Sequence, residues 1–253
     1  MTAPLLELDG VTKRFGELVA VDDISRTLAR EELCALIGPN GAGKTTMYNL
    51  LIGTLTPTEG RIRFDGRDVT TTSPAERTHL GIGRSFQVTN VFEGLTVREN
   101  IRAPVISRSD ERWNAFGRAG ADEDITAGTD EVLDLVGLGD IADEPVTELS
   151  YGDKRRVEIG IVLATDPQLV LLDEPTAGMN PTETEKMVDL VEDLDARTDM
   201  TFLVTEHDID IVFSIADRVL VLDRGSIIAD GTPDEIRRDE RVQSAYLGGE
   251  VAE

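Results

Sequence analysis

A glycine-rich loop with a lysine and two threonines is the segment whose chemistry is most specific. Gly38-Pro-Asn-Gly-Ala-Gly43-Lys44-Thr45 fits the spacing G-x-x-x-x-G-K-[ST], and an apolar run over residues 33–37 precedes it. That run predicts a buried parallel strand, and the apolar spacing after Lys44 predicts a helix. Backbone N–H groups at such a junction bind phosphate, so the pattern favours a nucleotide phosphate site over a chance glycine turn.

Each part of this loop has a predicted task. Lys44 is expected to reach the β- and γ-phosphates as a compact charge, and the Thr45 hydroxyl is expected to hold Mg²⁺. The glycines let the backbone approach the phosphates without a Cβ in the way. The predicted nucleotide-binding loop consists of Gly38, Pro39, Asn40, Gly41, Ala42, Gly43, Lys44, Thr45 and Thr46.

Two acidic residues follow a second apolar run. Leu169-Val-Leu-Leu172 predicts a buried strand, and Asp173 and Glu174 come directly after it. Ligands bind at the carboxyl ends of parallel strands, so the acids can face the phosphate loop. Asp173 is then expected to hold Mg²⁺, directly or through water, and Glu174 to polarise the water that attacks the γ-phosphate. The alternative is an acidic pair that caps a helix.

Two single polar residues also follow predicted strands. Gln87 comes after the run over 82–86, and its amide could reach a magnesium ion or a water; alone it is an ordinary surface glutamine. His207 comes after the run over 201–204, where it could donate a hydrogen bond to a γ-phosphate; an isolated histidine is usually structural. The order along the chain of loop, glutamine, acids and histidine favours the functional interpretation of both.

The segment Leu149-Ser150-Tyr151-Gly152-Asp153 begins a predicted helix. Free N–H groups at such a helix start favour a phosphate. Ser150 could equally well be only the N-cap of this helix. The residues alone therefore leave both interpretations open, a phosphate site and a simple helix cap.

These groups need an α/β frame to position them. The runs over 5–8, 18–28 and 61–64 predict an N-terminal part rich in strands, and buried strands alternate with helices after residue 169. Three helix starts carry Ser, Asn or Thr at the N-cap, proline next and glutamate at the third helical position, at Ser73, Asn180 and Thr232. The residues 218–222 and 226–229 predict a hairpin.

The middle of the chain has a different pattern. Strand signals fade between about 88 and 162; residues 107–128 are polar and rich in glycine and aspartate, and 130–136 predict a short helix ended by Gly137. The sequence therefore predicts one α/β domain over 1–253. It has a mixed sheet core, an N-terminal antiparallel β part, and an inserted α-helical subdomain over 88–162.

The composition limits the partners. A net charge of −24 and a pI near 4.4 oppose binding to nucleic acid or to an anionic bilayer. Such a charge is typical of proteins that work in very salty cytoplasm, so a halophilic source is one hypothesis.

No apolar run approaches the roughly 20 residues that cross a bilayer, and no signal peptide is visible. The single Cys34 excludes an intrachain disulfide. We expect a soluble subunit that contacts a membrane only through a partner.

Taken together, the motifs resemble the ATPase subunit of ABC transporters over almost the whole chain. The phosphate loop looks like Walker A, Leu169 to Glu174 like Walker B with its catalytic glutamate, and Leu149 to Asp153 like the signature motif. Gln87 matches the Q-loop, His207 the H-loop and 177–180 the D-loop, while Phe15 has the position of the aromatic residue that stacks on adenine. Segments at 83–87, 149–152, 177–181 and 241–248 resemble branched-chain amino acid importers, with urea or amide importers and a lipid exporter as near relatives.

The resemblance implies a P-loop NTPase of the ABC type that hydrolyses ATP with Mg²⁺. It implies Lys44, Glu174 and His207 as catalytic residues and Thr45, Gln87 and Asp173 around the metal. Each ATP would lie between one phosphate loop and Ser150 and Gly152 of a second ATPase subunit, identical or paralogous. The further partners would be multi-span permease subunits and an external substrate-binding protein, with the ATPase peripheral on the cytoplasmic face of the membrane. The transported substrate and the direction of transport stay open.

Three other ATPase classes fit less well. A DNA-associated ATPase needs long coiled coils and basic surfaces, a regulatory or ribosome-associated one usually has two cassettes, and a P-loop kinase lacks the signature.

Two residues depart from the family pattern. Asp153 stands where the family has glutamine, and it is expected to point outward or to be compensated by Lys154 or Arg155; Asn180 stands where many relatives have aspartate.

Overall fold

The computed structural model describes residues 3–85, 91–112 and 121–247. Within these ranges the strands form two sheets, with strand orders β2-β1-β4-β5 and β10-β9-β3-β8-β7-β6. The strands are β1 (Leu6–Phe15), β2 (Leu18–Leu28), β3 (Leu33–Ile37), β4 (Glu59–Phe64), β5 (Arg67–Asp68), β6 (Ile82–Arg84), β7 (Leu169–Asp173), β8 (Thr201–Thr205), β9 (Arg218–Asp223) and β10 (Ser226–Gly231).

Nine helices are present in the described ranges, together with two short 3₁₀ turns over Gly139–Ile141 and Val146–Glu148. The helices are α1 (Lys44–Leu51), α2 (Pro74–His79), α3 (Val97–Arg112), α4 (Ala121–Leu135), α5 (Tyr151–Leu163), α6 (Pro181–Arg197), α7 (Ile209–Ile215), α8 (Pro233–Arg238) and α9 (Glu240–Leu247). No helix in the described part of the chain is both long enough and apolar enough to cross a membrane.

The six-stranded sheet forms the centre of the molecule. Its strands β9, β3, β8, β7 and β6 run parallel, and β10 pairs antiparallel at the edge. Every residue of β3, β7 and β8 is buried, as the continuous apolar runs predict for strands covered on both faces. The carboxyl ends of these three neighbouring strands therefore meet along one edge of the sheet.

The four-stranded sheet is antiparallel and packs beside this core. Strand β1 is longer than the predicted run over 5–8, because it continues through irregular pairing to Phe15. Together the two sheets confirm the predicted mixed α/β core with an N-terminal antiparallel part.

Local capping signals place the helix starts correctly. The side chains of Ser73, Asn180 and Thr232 each accept a hydrogen bond from the backbone N–H three residues later. The glutamate at that later position accepts a hydrogen bond in turn from the backbone N–H of the N-cap residue. Each of the three helices has proline in its first turn. The helices α2, α6 and α8 therefore begin where the sequence predicts.

The middle segment contains more helix than its local sequence pattern indicates, in two places. Much of the polar stretch over 107–128 is helical, and the helix predicted over 130–136 is the end of the longer α4. Ile125, Val132 and Leu133 are buried in the same cluster as residues of α3, which stabilises α4 despite its polar composition. The strand predicted over 82–86 ends at Arg84, and Phe86 lies outside the described residues.

The predicted subdomain over 88–162 contains α3, α4, both 3₁₀ turns and most of α5 among its described residues. Its boundaries, and the assignment of 1–253 to one domain, stay predictions. Helices α7 and α9 were not predicted, although Asp208 caps α7 by accepting the N–H groups of Asp210 and Ile211.

Candidate functional site

The phosphate loop connects β3 to α1 through two glycines that no other residue could replace without strain. A Cβ on Gly38 would lie 2.1 Å from the Leu222 carbonyl oxygen, and one on Gly43 would lie 2.4 Å from the Ala20 carbonyl oxygen. Gly43 also has a φ of 111°, which L side chains rarely adopt. The loop therefore keeps its shape because neighbouring strands crowd its backbone.

Lys44 folds back over this loop at the first position of α1. Its Nζ donates to the Gly38 carbonyl oxygen at 2.5 Å and to the Pro39 carbonyl oxygen at 3.3 Å. Burial lowers the pKa of Lys44, and the nearby carboxylates of Glu174 and Asp173 oppose that shift. The ammonium group is thus held at the mouth of the loop by weak neutral acceptors that a phosphate could replace.

A cleft of about 470 Å³ opens above the loop. Phe15 lies at one side of it with 47% of its surface exposed, and the Lys13 ammonium is 5.3 Å from the centre of the Phe15 ring. An exposed ring beside a phosphate-binding loop can stack on a nucleotide base. The predicted site residues that line the cleft are Phe15, Asn40, Gly41, Ala42, Gly43, Lys44, Thr45, Thr46, Glu174 and His207.

Arg224 also lines this cleft, which the sequence did not predict. Arg224 and Gly225 line it because the Gly225 N–H donates to the Ala42 carbonyl oxygen at 2.8 Å, which brings the β9–β10 turn against the phosphate loop. The sequence identified this turn only as part of a hairpin. No local pattern tells which loop a hairpin turn will contact.

Asp173 lies at the end of β7 with both carboxylate oxygens in use. Oδ2 accepts from Arg84 Nη2 at 2.7 Å, and Oδ1 accepts from the Thr205 hydroxyl at 2.8 Å. Only 4% of the Asp173 side chain and 11% of the Arg84 side chain are exposed. Arg84 also donates to Asn49 Oδ1 at 2.9 Å, so it connects Asp173 to α1 as well as to β6. This bridging role of Arg84 was not predicted.

The oxygen donors near the loop fit Mg²⁺. Thr45 lines the cleft and offers a hydroxyl. Asp173 offers a carboxylate, but it does not line the cleft, and its two oxygens already accept hydrogen bonds from Arg84 and Thr205. Mg²⁺ prefers a few such oxygen ligands together with water and phosphate oxygens. Within the described ranges no group of three or more His, Cys, Asp or Glu side chains could form an all-protein metal site. Gln87, the third predicted ligand, lies outside the described residues.

Glu174 and His207 face each other across the sheet edge. His207 Nε2 lies 2.8 Å from Glu174 Oε1, and both residues line the cleft. Glu174 has a φ of 49°, a left-handed conformation that is strained for a residue with a side chain. Its N–H donates to the Thr205 carbonyl oxygen at 3.0 Å, which ties the end of β7 to β8. The acid and the histidine are therefore in contact.

Ser150 and Gly152 do not line the cleft, although both are in the part of the chain that the structure describes. Ser150 is the N-cap of α5; its hydroxyl accepts the Asp153 N–H at 3.1 Å and donates to Asp153 Oδ2 at 2.8 Å. The Gly152 N–H points to Glu183 Oε1 at 3.4 Å. The N-cap interpretation of Ser150 is correct, and its contact with a nucleotide across a dimer stays a prediction.

The expectation that Lys154 or Arg155 compensates Asp153 is wrong for Arg155. Arg155 Nη1 donates to Glu158 and its Nη2 donates to the Asp173 carbonyl oxygen, both at 2.8 Å. Arg156 forms the ion pair with Asp153 instead, and its Nη1 lies 3.3 Å from Asp153 Oδ1. Residues three apart share one helix face, whereas Arg155 points to the buried side of α5.

Comparison with known proteins agrees with this geometry. Residues 21–177, more than half of the chain, match the family described as ABC transporter. This chain belongs to the ABC transporter family. Residues 226–252 match a second family, described as branched-chain amino acid ATP-binding cassette transporter.

Several relatives align with the ABC protein over nearly its whole length. The high-affinity branched-chain amino acid transport ATP-binding protein LivG of Salmonella typhimurium is 38% identical, covering 98% of this chain and 99% of the relative. The corresponding protein BraF of Pseudomonas aeruginosa is 36% identical, with coverage of 98% and 99%. The probable LivG protein of Methanocaldococcus jannaschii is 34% identical, with coverage of 98% for both chains.

Solved structures share the fold of this ABC cassette. The ADP conformation of MJ1267, an ATP-binding cassette of an ABC transporter, superposes with a TM-score of 0.83 at 32% identity, covering 98% of this chain and all of that one. The dimeric post-hydrolysis state of the cassette MJ0796, bound to ADP and phosphate, gives a TM-score of 0.74 at 27% identity, with coverage of 90% and 98%. The predicted ABC-type ATPase fold is confirmed.

Proposed function

We propose that this chain is the ATP-hydrolysing subunit of a transporter that imports branched-chain amino acids. One observation carries the proposal: the cleft beside Phe15 brings Lys44, Glu174 and His207 to one phosphate-binding loop. The match of residues 226–252 and the names of the relatives support the substrate class. A relative named as a lipopolysaccharide export ATP-binding protein, from Haemophilus influenzae, is 33% identical and keeps lipid export as an alternative, beside import of urea or amides.

The proposed chemistry uses each side chain in the position described above. ATP enters the cleft with its adenine on Phe15 and its phosphates on the loop, and Lys44 exchanges two carbonyl oxygens for phosphate oxygens. Glu174 accepts a proton from the attacking water. His207, whose Nε2 lies 2.8 Å from Glu174 Oε1, shares its Nε2–H between the Glu174 carboxylate, which it orients, and the γ-phosphate. When bound, Mg²⁺ neutralises charge that develops on the phosphates; Thr45, Asp173 and Gln87 would hold it.

The chain is proposed to work as one half of a dimer. Ser150 and Gly152 sit at the start of α5, away from the cleft, so they would meet the nucleotide of a second ATPase subunit. That subunit is either a second copy or a paralogue. ATP would hold the pair closed, and its hydrolysis would restore like-charge repulsion and open it.

The remaining partners are proposed from the family. The segment 88–162 and Gln87 would transmit closure to multi-span permease subunits, which would keep the ATPase on the cytoplasmic face of the membrane. An external protein would deliver the amino acid. The net charge of −24 argues against nucleic acid as a partner.

Purification of the native complex in mild detergent tests this function. We expect permease subunits to co-purify, and vesicles reconstituted with the complex and its binding protein to accumulate leucine when they contain ATP. The Lys44→Ala variant is the control: it should assemble with the same subunits and lose both hydrolysis and uptake. Ribosomes or DNA in place of permeases would contradict transport, and uptake of urea instead of leucine would replace the proposed substrate.

A further inference from the structure

Glu206 is a buried carboxylate beside the site that the proposed mechanism does not use. Only 5% of its surface is exposed. Its Oε1 accepts two hydrogen bonds from Thr176, one from the backbone N–H at 2.9 Å and one from the hydroxyl at 2.7 Å. Its Oε2 faces the His207 N–H at 3.3 Å. Glu206 therefore joins the loop after β8 to the loop after β7.

These two loops carry the proposed catalytic pair. Thr176 is two residues after Glu174, and Glu206 is the residue before His207. Glu174 is in a strained left-handed conformation, which persists only where the surrounding structure holds it. A bond from Thr176 to Glu206 holds the loop directly after this strained residue, at the position where it would otherwise relax.

The position of Glu206 suits a side chain that only accepts hydrogen bonds. A single oxygen of Glu206 receives both Thr176 donors, and the other oxygen faces a third N–H group. A carboxylate can accept all three, whereas the amide of glutamine would present an N–H group to one of them. Burial raises the pKa of Glu206, and the bonds from Thr176 and His207 oppose that shift by stabilising the charged form.

We propose that Glu206 is a positioning residue for ATP hydrolysis. Through Thr176 it holds the loop after β7 so that Glu174 Oε1 stays 2.8 Å from His207 Nε2. Neither Glu206 nor Thr176 lines the nucleotide cleft in the described structure, so the link acts on the orientation of Glu174 and leaves nucleotide binding unchanged. The inference rests on the proposed roles of Glu174 and His207.

The first test removes only the Thr176 hydroxyl. In Thr176→Val we expect kcat for ATP to fall about tenfold, because a hydrogen bond to a charged group is lost, while KM changes less than about twofold. Thr176→Ser keeps the hydroxyl and should recover most of the rate. The matched control is Thr201→Val, which removes a buried hydroxyl from the opposite end of β8, where it accepts the Glu31 N–H. This control should lose a similar amount of stability and keep its kcat.

A second variant tests whether Glu206 and Thr176 act as one link. Glu206→Gln should lower kcat by a similar factor and leave the affinity for a fluorescent ATP analogue unchanged. The double variant should lose less than the product of the two single losses, because both changes break the same contact. Loss factors that simply multiply, a rise in KM that accounts for the effect, or wild-type kcat in Thr176→Val would each overturn the proposal.

Glu174→Gln, measured in parallel, separates this inference from the proposed function. If Glu174→Gln abolishes hydrolysis while Thr176→Val and Glu206→Gln keep the wild-type kcat, the positioning role is wrong and the ATPase mechanism stands. If Glu174→Gln hydrolyses ATP at the wild-type rate, the role of Glu174 is wrong and the positioning role falls with it.

Discussion

Three of the groups that would bind a triphosphate are held by oxygens of the protein itself. Lys44 donates to the Gly38 carbonyl oxygen, and the Ser150 hydroxyl donates to the Asp153 carboxylate. The Gly152 N–H faces Glu183 at 3.4 Å. Binding of a nucleotide by these groups would exchange one set of acceptors for another, and the charge of each acceptor would affect how readily it is replaced.

Asp153 gives the sharpest residue-level prediction. Arg156 lies 3.3 Å from its carboxylate and offsets the charge that would repel a phosphate. We therefore expect Asp153→Gln to change the steady-state ATPase rate by less than about threefold, because Arg156 already compensates the carboxylate that is removed and partly exposed pairs of this kind contribute little.

Arg156→Gln is the control for Asp153, because it removes the compensating charge and leaves the carboxylate. Its ATPase rate should fall in dilute buffer and recover as KCl screens the carboxylate. A many-fold rise in the rate of Asp153→Gln would show that Asp153 is not compensated.

At the level of elements, local signals in the sequence predicted the capped helix starts and the buried central strands. The caps at Ser73, Asn180 and Thr232 are hydrogen bonds within four residues, so the sequence contains all the information they need. The buried strands β3, β7 and β8 were predicted because both of their faces are covered and every residue is apolar or nearly so. The proposed catalytic residues Glu174 and His207 were identified from the position of each after such a strand.

Contacts between distant elements could not be predicted. Helix α4 is polar in sequence and is stabilised by packing of Ile125 and Val132 in the core, which no local pattern reveals. The bonds from Arg84 to Asp173, and from the Gly225 N–H to Ala42, join residues far apart in the chain. The geometry of the site depends on these contacts as much as on the motifs.

The Arg84–Asp173 pair joins β6 to β7 and yields a prediction about stability. Arg84→Met leaves a buried carboxylate without its counter-charge, so we expect a loss of about 3–5 kcal/mol in the free energy of unfolding. Urea denaturation followed by circular dichroism measures it.

The control for Arg84 is Arg197→Met, which breaks an exposed pair with Asp134. The two side chains of this pair are 47% and 74% exposed, so its loss should cost less than about 1 kcal/mol. Equal losses in Arg84→Met and Arg197→Met would mean that the buried pair does not stabilise the sheet.

The charge of the whole molecule predicts its response to salt. With a net charge of −24 the folded chain repels itself, and dissolved ions screen that repulsion. We expect the midpoint of thermal unfolding to rise steadily when KCl is raised from about 0.1 M to about 2 M. Sucrose at equal osmolality, which does not screen charge, should raise it less. Full stability in dilute buffer would count against a halophilic source.

The proposed function requires that paired ATPase subunits enclose ATP and that Glu174 activates the water that cleaves it. Light scattering of the purified Glu174→Gln variant with Mg²⁺ and ATP tests this claim most directly. We predict that the mass doubles on ATP addition, or rises to that of a pair with a co-purifying paralogous subunit, and that the complex retains intact ATP. A second change, Lys44→Ala, should abolish the rise. A mass that ATP leaves unchanged, or phosphate release near the wild-type rate, would contradict the account.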